Sequence, residues 1–230
     1  MNFLALDTSS DACSVALQLD DRVREQHVVR AKEHTNILIP MIQDLLKDSG
    51  AELHDLDAIV LGNGPGSFIG VRIAASVAQG LAFGSGLKIV PVSSMAAVAA
   101  EVVDTHSAKR VIVAQDARMN EVYLGIYKSN GSRLPISETD EVLQPIGEIA
   151  DLDAVPMSIA AGKGWHKYQD LLTLNDPAIS EVVDVEYPRA KYLLGLGARE
   201  WRDGEAIEPE QLVPAYIRMK VAEKPREAGR

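Results

Sequence analysis

The chain opens with short apolar segments separated by polar turns. Phe3 to Leu6 is continuously apolar and ends at Asp7, and Ala12 to Leu19 alternates between apolar and polar residues. The polar pair Asp20-Asp21 separates this segment from Val23 to Val29. Short runs of this kind, bounded by turn residues, are typical of strands. The pattern therefore predicts three antiparallel strands at the start of the chain.

The next part of the chain shows the spacing of apolar residues that is typical of a helix. Apolar residues at steps of one, three and four predict an amphipathic helix over 34–48, which Gly50 ends. A strand over 57–61 and a nearly all-apolar helix over 67–83 come next. The pattern then predicts a strand at Ile89-Val90 and a helix capped by Ser93 or Ser94 that runs to about Val103.

A second set of elements resembles the first. Strands are predicted over 111–114, 121–128 and 158–161, and a helix from Tyr187 or Pro188 to about Trp201. The order of strands and helices repeats, and Leu4-Ala5-Leu6-Asp7 is echoed by Val113-Ala114-Gln115-Asp116. The chain is thus predicted to have two related α/β halves, residues 1–105 and 106–220, followed by a loose charged tail over 221–230.

Composition narrows the class of protein. The 230 residues carry a formal net charge of -10, which disfavours binding to nucleic acid by this chain alone. Cys13 is the only cysteine, so no internal disulfide can form, and a reducing cytoplasm fits. No run of about 18 uninterrupted apolar residues is present, so we expect no membrane span.

The most informative motif is the glycine run Asn63-Gly64-Pro65-Gly66-Ser67-Phe68-Ile69-Gly70-Val71-Arg72. It lies between a predicted strand and a predicted helix, where free backbone N–H groups can bind an anion. It lacks the Gly-Lys-Ser/Thr of a P-loop and the Gly-x-Ser-x-Gly of a nucleophile elbow. Two interpretations stay open: a phosphate cradle, or the edge of a protein–protein interface.

Five segments, in this order, resemble the TsaB family, formerly YeaZ. They are Leu6-Asp7-Thr8-Ser9, the glycine run, Ala78-Gln79-Gly80-Leu81-Ala82, Asp116-Ala117-Arg118-Met119-Asn120-Glu121-Val122-Tyr123 and Pro214-Ala215-Tyr216-Ile217-Arg218. The resemblance implies an α/β fold of the actin/Hsp70/sugar-kinase-like, ribonuclease H-like class with two related halves. The family usually has Thr where this chain has Ile69, and isoleucine suits a packed helix face.

The resemblance also implies a function. Members are non-catalytic subunits that bind and activate a larger paralogue, TsaD, and the ATPase TsaE joins the complex. The complex forms N6-threonylcarbamoyladenosine at position 37 of tRNA, with ATP and a metal held by partner subunits and tRNA bound through the complex. This chain alone is then expected to bind no cofactor, and it could form a homodimer when TsaD is absent.

The loops and histidines argue against chemistry in this chain. ATP-using relatives carry Asp-x-Gly at the first phosphate loop, but Ser9 stands in place of that glycine, and Ala161 replaces the first of a nucleotide-binding glycine pair. We interpret these loops as a vestigial phosphate site or as simple tight turns. Their residues are Asp7, Thr8, Ser10, Gly64, Gly66 and Ser67.

TsaD binds its metal with two histidines four positions apart. Here Leu38 follows His34 at that spacing, so we expect no metal site and no catalytic residues.

The helix over 67–83 carries the strongest functional signal. A helix that is apolar on all sides is expected to be buried on all sides, either within the chain or against a partner. Together with the helix over 34–48, it predicts a four-helix contact with the partner. The predicted interface residues are Ile37, Leu38, Met41, Leu45, Phe68, Ile69, Val71, Arg72, Ala74, Ala75 and Ala78. Ala74→Arg is expected to block pairing without unfolding the chain.

Two alternative functions stay open for this chain: an ATP-dependent phosphotransferase of the same fold, and, less favoured, an M22-type peptidase.

Overall fold

The computed structural model describes residues 1–30, 32–149, 152 and 158–215. The strands are β1 (Phe3–Asp7), β2 (Ala12–Leu19), β3 (Arg22–Val29), β4 (Ala58–Gly62), β5 (Lys88–Val92), β6 (Arg110–Asp116), β7 (Glu121–Lys128), β8 (Ile136–Ser137), β9 (Val142–Pro145), β10 (Ser158–Ala161) and β11 (Ile179–Val182). The helices are α1 (His34–Ser49), α2 (Phe68–Ser85), α3 (Ser94–His106), α4 (Lys163–Lys167), α5 (Gln169–Asn175) and α6 (Ala190–Asp203).

Two mixed sheets share one pattern. The first has the order β3-β2-β1-β4-β5, with β1 antiparallel to β2 and parallel to β4. In the second, β6 is antiparallel to β7 and parallel to β10, and β11 extends the parallel side. Thus β6 and β7 correspond to β1 and β2, and Asp116 ends its strand as Asp7 ends β1. The predicted repeat of two related α/β halves is confirmed.

The helices form layers on both faces of each sheet. Helices α1 and α2 cover the outer face of the first sheet, where they pack on residues such as Leu6, Ile59 and Leu61. Helix α6 packs on its inner face against Phe3 and Val60. Helix α3 lies on the second sheet and also contacts α6, whereas α4 and α5 cover the far side of that sheet.

Most predicted elements are present, with small shifts at their ends. Gly50 ends α1 in a left-handed conformation, and the Ser67 side chain caps α2. The last helix begins at Ala190 rather than at Tyr187 or Pro188, and ends at Asp203. The short elements β8, β9, β11, α4 and α5 were not predicted, because a segment of two to seven residues shows too few periods to register.

The division of the chain near residue 105 stays a prediction. Helix α3 ends at His106, and β6 of the second sheet begins at Arg110. Helix α6, although late in the chain, packs against the first sheet, and Ile207 pairs with Ile89 of β5. The predicted tail over 221–230 lies outside the described residues.

Candidate functional site

The two predicted phosphate loops pack directly against each other. The N–H of Ser67 donates to the carbonyl oxygen of Ser9 at 2.6 Å, and the Thr8 hydroxyl donates to the Gly70 carbonyl oxygen at 2.6 Å. A Cβ at Gly66 would lie 2.2 Å from the Ser9 oxygen, and one at Gly70 would lie 1.9 Å from the Thr8 oxygen. The glycines therefore allow backbone to meet backbone, and protein atoms fill the space between the two turns.

Asp7 lies behind these turns and is buried. Its carboxylate accepts hydrogen bonds from the Ser9 N–H at 2.8 Å, the Ser9 hydroxyl at 2.8 Å and the Ser94 hydroxyl at 2.6 Å. Burial raises the pKa of Asp7 to about 6, although the hydrogen bonds from Ser94 and Ser9 act in the opposite direction. Only 1% of the Asp7 surface is exposed, and its hydrogen bonds tie the end of β1 to the turn at Ser9 and to the start of α3.

A narrow cleft of about 240 Å³ lies in front of the turns, between the two halves. Ser10, Asp11 and Ser67 line it from the first half, and Arg118, Lys163 and Tyr187 line it from the second half. The Lys163 ammonium donates to Asp11 Oδ2 at 2.5 Å and to the Tyr187 hydroxyl at 2.9 Å. Burial lowers the pKa of Lys163, but these hydrogen bonds outweigh burial and the net pKa is raised. The ammonium group of Lys163 thus forms a contact between the two halves.

The charged turn after β6 is held in the same way. Asp116 accepts from the ammonium of Lys167 at 2.7 Å, the hydroxyl of Tyr168 at 2.8 Å and the N–H of Arg118 at 2.9 Å. Burial raises the pKa of Asp116, but the hydrogen bond from Lys167 and those from Arg118 and Tyr168 lower it, and the net shift is downward. These contacts attach the turn to α4.

His34 and Cys13 of the first half are buried. His34 begins α1, and its Nε2 lies 2.8 Å from the Ser10 carbonyl oxygen. Leu38, one turn later, packs in the core. Burial raises the pKa of the Cys13 thiol to about 12, which makes the thiolate rare at neutral pH.

An exposed apolar surface lies between α1 and α2. We call it the α1–α2 face: a groove of about 370 Å³ lined by His34, Thr35, Leu38, Ile39, Ile69, Arg72, Ile73, Ser76 and Val77. Ile69 is 69% exposed and Ile39 is 48% exposed. The Arg72 guanidinium stacks 3.3 Å from the centre of the Phe68 ring at the start of α2. Large apolar side chains that stay exposed side by side mark a surface for interaction.

The members of the predicted interface set differ in exposure. Seven of them are buried under α1 and α2: Leu38, Met41, Leu45, Val71, Ala74, Ala75 and Ala78. Leu38 nevertheless lines the groove of the α1–α2 face. Ile37 is half-buried, while Phe68, Ile69 and Arg72 are exposed. The alanine side of α2 rests on β1 and β4, and the interface set stays a prediction.

Two exposed apolar residues of α1 and α2 were left out of the predicted interface set. Ile39 lies on the groove, and Phe83, at the other end of α2, is 74% exposed. Ile39 lies outside the buried stripe of α1, and an isoleucine outside that stripe is the signal that could have identified it.

Among the described residues, α2 is the one helix that is long and apolar enough, by composition alone, to cross a membrane. The core helices of soluble proteins also pass this test.

Comparison with known proteins places these features in a family. Residues 27–187 match the family model of TsaD, tRNA N6-adenosine threonylcarbamoyltransferase. The chain is 37% identical to the tRNA threonylcarbamoyladenosine biosynthesis protein TsaB of Escherichia coli over 97% of each chain. It is 35% identical to TsaB of Haemophilus influenzae, over 97% of this chain and 96% of the relative.

Solved structures agree. YeaZ from Pseudomonas aeruginosa superposes with a TM-score of 0.84 at 36% identity, covering 94% of this chain and 99% of that one. A second Pseudomonas aeruginosa structure, described as an uncharacterized protein with similarity to peptidase YEAZ, gives 0.87 at 37% identity over the same shares. The predicted α/β fold with two related halves is confirmed. By its sequence and its structure, the chain belongs to the TsaB family of tRNA threonylcarbamoyladenosine biosynthesis proteins.

Proposed function

We propose that this chain is a non-catalytic subunit of the complex that forms N6-threonylcarbamoyladenosine at position 37 of tRNA. It binds the catalytic paralogue TsaD through the α1–α2 face and thereby activates it. The observation that carries the proposal is that exposed apolar face, on a chain whose relatives are named for the biosynthesis of this nucleoside.

The geometry of the face supports a helical partner. Exposed Ile39 and Ile69 flank a groove between two helices, and a partner helix could place an apolar ridge between them. Phe83 extends the apolar surface along α2. Burying a few large apolar side chains at the centre of a contact typically provides most of its energy.

The loops beside the cleft support an accessory role rather than chemistry in this chain. The backbone of Ser9 packs directly against Gly66, and Lys163 of the second half is tied to Asp11 and Tyr187. In this proposal TsaD holds the metal and the threonylcarbamoyl donor, TsaE supplies ATP hydrolysis, and other subunits make most contacts to tRNA, because this chain carries a net charge of -10.

The same face could pair two copies of this chain. A two-fold contact uses one surface twice, so the α1–α2 face would then form a homodimer in the absence of TsaD. Mixed with TsaD, the homodimer would give way to the heterodimer, because both use one surface.

A reconstituted reaction tests the proposal. Formation of threonylcarbamoyladenosine on tRNA is measured with this chain present, omitted, or supplied without TsaD, and binding to TsaD is followed by sedimentation. Ile69→Arg places a charge on the exposed face, and we expect loss of binding and of activity. Leu174→Arg is the matched control, because Leu174 is an apolar helix residue, 45% exposed, in the second half.

Three results would contradict the proposal. Full activity without this chain would remove its role, and transfer by this chain alone would mean that it is an enzyme. An Ile69→Arg variant that binds TsaD as tightly as Leu174→Arg does would place the contact elsewhere. ATP binding by the isolated chain would favour the phosphotransferase alternative.

A further inference from the structure

The segment after β11 presents two carboxylates on one side. The N–H of Val183 donates to the Ala160 carbonyl oxygen at 2.9 Å, and the N–H of Gly162 donates to the Val185 carbonyl oxygen at 2.8 Å. Both valines pack into the core between α3 and the second sheet. Side chains alternate along an extended segment, so Asp184 and Glu186 lie together on the opposite side.

Helix α4 brings a histidine to the same place. The helix begins directly after Gly162, which has a φ of 101° and leaves no room for a Cβ, since that atom would lie 2.3 Å from the Ala114 oxygen. This turn places His166 Nε2 at 3.2 Å from the Val183 carbonyl oxygen and 3.9 Å from Asp184 Oδ1. One possible ligand atom from each of His166, Asp184 and Glu186 lies within 4.8 Å of the others.

These distances suit a metal ion after a small movement. Tetrahedral zinc with bonds of about 2.1 Å holds its ligand atoms roughly 3.4 Å apart. The group therefore has to close by about 1.4 Å at most, since its atoms already lie within 4.8 Å. The Asp184 side chain is 96% exposed, so rotation about its side-chain bonds meets no packing.

We propose that His166, Asp184 and Glu186 form a binding site for a divalent transition-metal ion of the zinc type. One imidazole and two carboxylates suit Zn²⁺, Co²⁺ or Ni²⁺, whereas Mg²⁺ prefers oxygen ligands alone. A fourth position stays open to water or to a donor from another molecule. Asp184 and Glu186 lie 18 and 20 positions after His166 in the sequence, so no local histidine spacing reveals the site.

A bound ion would join two separate parts of the second half. It would tie α4 to the segment that leads into α6, next to Tyr187, whose hydroxyl accepts a hydrogen bond from Lys163. Because a ligand that binds only the folded state stabilises it, Zn²⁺ should raise the midpoint of thermal unfolding.

Titration of the tag-free, full-length chain with ZnCl₂ tests the site by calorimetry and by thermal unfolding. We expect one Zn²⁺ per chain, a higher unfolding midpoint, and binding to Mg²⁺ that is weaker by about tenfold or more. Both His166→Ala and Asp184→Asn should weaken Zn²⁺ binding by about tenfold or more. Asp184→Asn keeps the test valid if loss of the His166 contact to Val183 impairs folding, because Asp184 is almost fully exposed.

His54→Ala is the matched control. His54 is an exposed histidine that lies 3.3 Å from a Glu52 oxygen and 3.6 Å from an Asp55 oxygen, and its removal should leave Zn²⁺ binding unchanged. Absence of Zn²⁺ binding to the unaltered chain, equal affinity for Mg²⁺, or Zn²⁺ binding that survives His166→Ala and Asp184→Asn would overturn the proposal.

Discussion

At the scale of single residues, Asp7 shows how burial changes the role of a carboxylate. It ends β1, and three hydrogen bonds hold its carboxylate inside the protein. Its pKa is raised from 3.8 to about 6 by burial, so the folded state binds a proton more tightly than the unfolded chain. The stabilisation from that proton is complete below pH 3.8 and is lost as pH rises through 6.

Asp7→Asn is expected to remove this dependence on pH. The free energy of unfolding of the unaltered chain should fall relative to that of the variant by about 2 kcal/mol between pH 4 and pH 7. Urea unfolding at several pH values measures the difference. Two curves that run parallel over this range would show that Asp7 does not cause the effect.

Substitution of two glycines of α2 by alanine should change the free energy of unfolding in opposite directions. A Cβ at Gly70 would lie 1.9 Å from the Thr8 carbonyl oxygen, while a Cβ at Gly80 would have no neighbour within 4 Å. Gly70→Ala should lower the free energy of unfolding by about 1–3 kcal/mol, because backbone must move. Gly80→Ala should raise it by up to about 1 kcal/mol, because alanine favours a helix. Equal effects in urea unfolding would contradict the close approach of the two turns.

At the scale of elements, α2 has two different apolar sides. Ala74, Ala78 and Ala82 are fully buried on the first sheet, and their small size brings the helix close to β1 and β4. Ile69 and Phe83 stay exposed. The apolar composition was read correctly, but composition does not say which side the chain covers itself and which side is left for another molecule.

Ala74→Arg and Ile69→Arg therefore separate folding from binding. Ala74 has 0% exposure, so an arginine there should lower the free energy of unfolding by more than about 4 kcal/mol instead of only blocking a partner. Ile69→Arg should change it by less than about 0.5 kcal/mol. Circular dichroism during thermal unfolding measures both. A stable Ala74→Arg chain would contradict the burial of the alanine side.

At the scale of the whole molecule, α6 joins parts of the chain that are far apart in sequence. Its first turn is fixed to β3, since Glu25 accepts from Arg189 Nη2 at 2.5 Å and from the Lys191 N–H at 3.1 Å. The Ser14 hydroxyl accepts from the Ala190 N–H at 2.8 Å. The Glu25 side chain is 9% exposed, so these hydrogen bonds are largely shielded from water.

Glu25→Gln should weaken this connection. It removes the charge that Arg189 pairs with, and we expect the free energy of unfolding to fall by about 1.5–3 kcal/mol, as for hydrogen bonds to charged groups. Arg133→Gln is the control, because Arg133 is 88% exposed in its ion pair with Asp104 and should matter by less than about 1 kcal/mol. An equal loss of the free energy of unfolding in both variants would show that the contact of Glu25 with Arg189 has no special role.

Much of this architecture follows from the sequence because its signals are local. Alternation along Ala12–Leu19 and along Glu121–Lys128 indicates strands, and glycine at 50 stops a helix whatever lies around it. Short elements such as α4 gave no such signal, since five residues contain little more than one helical turn. The resemblance to the TsaB family likewise rests on segments that can be read in order along the chain.

The sequence by itself determined most of the longer elements, the repeat of two α/β halves and the family, because periodicity and motif order are properties of neighbouring residues. Only the tertiary structure decided which apolar residues remain available to a partner, since burial depends on what packs against each side of a helix. It also decided that the glycine turns close on Ser9, and that His166 lies beside Asp184 and Glu186. Such contacts join distant positions, and no local pattern encodes them.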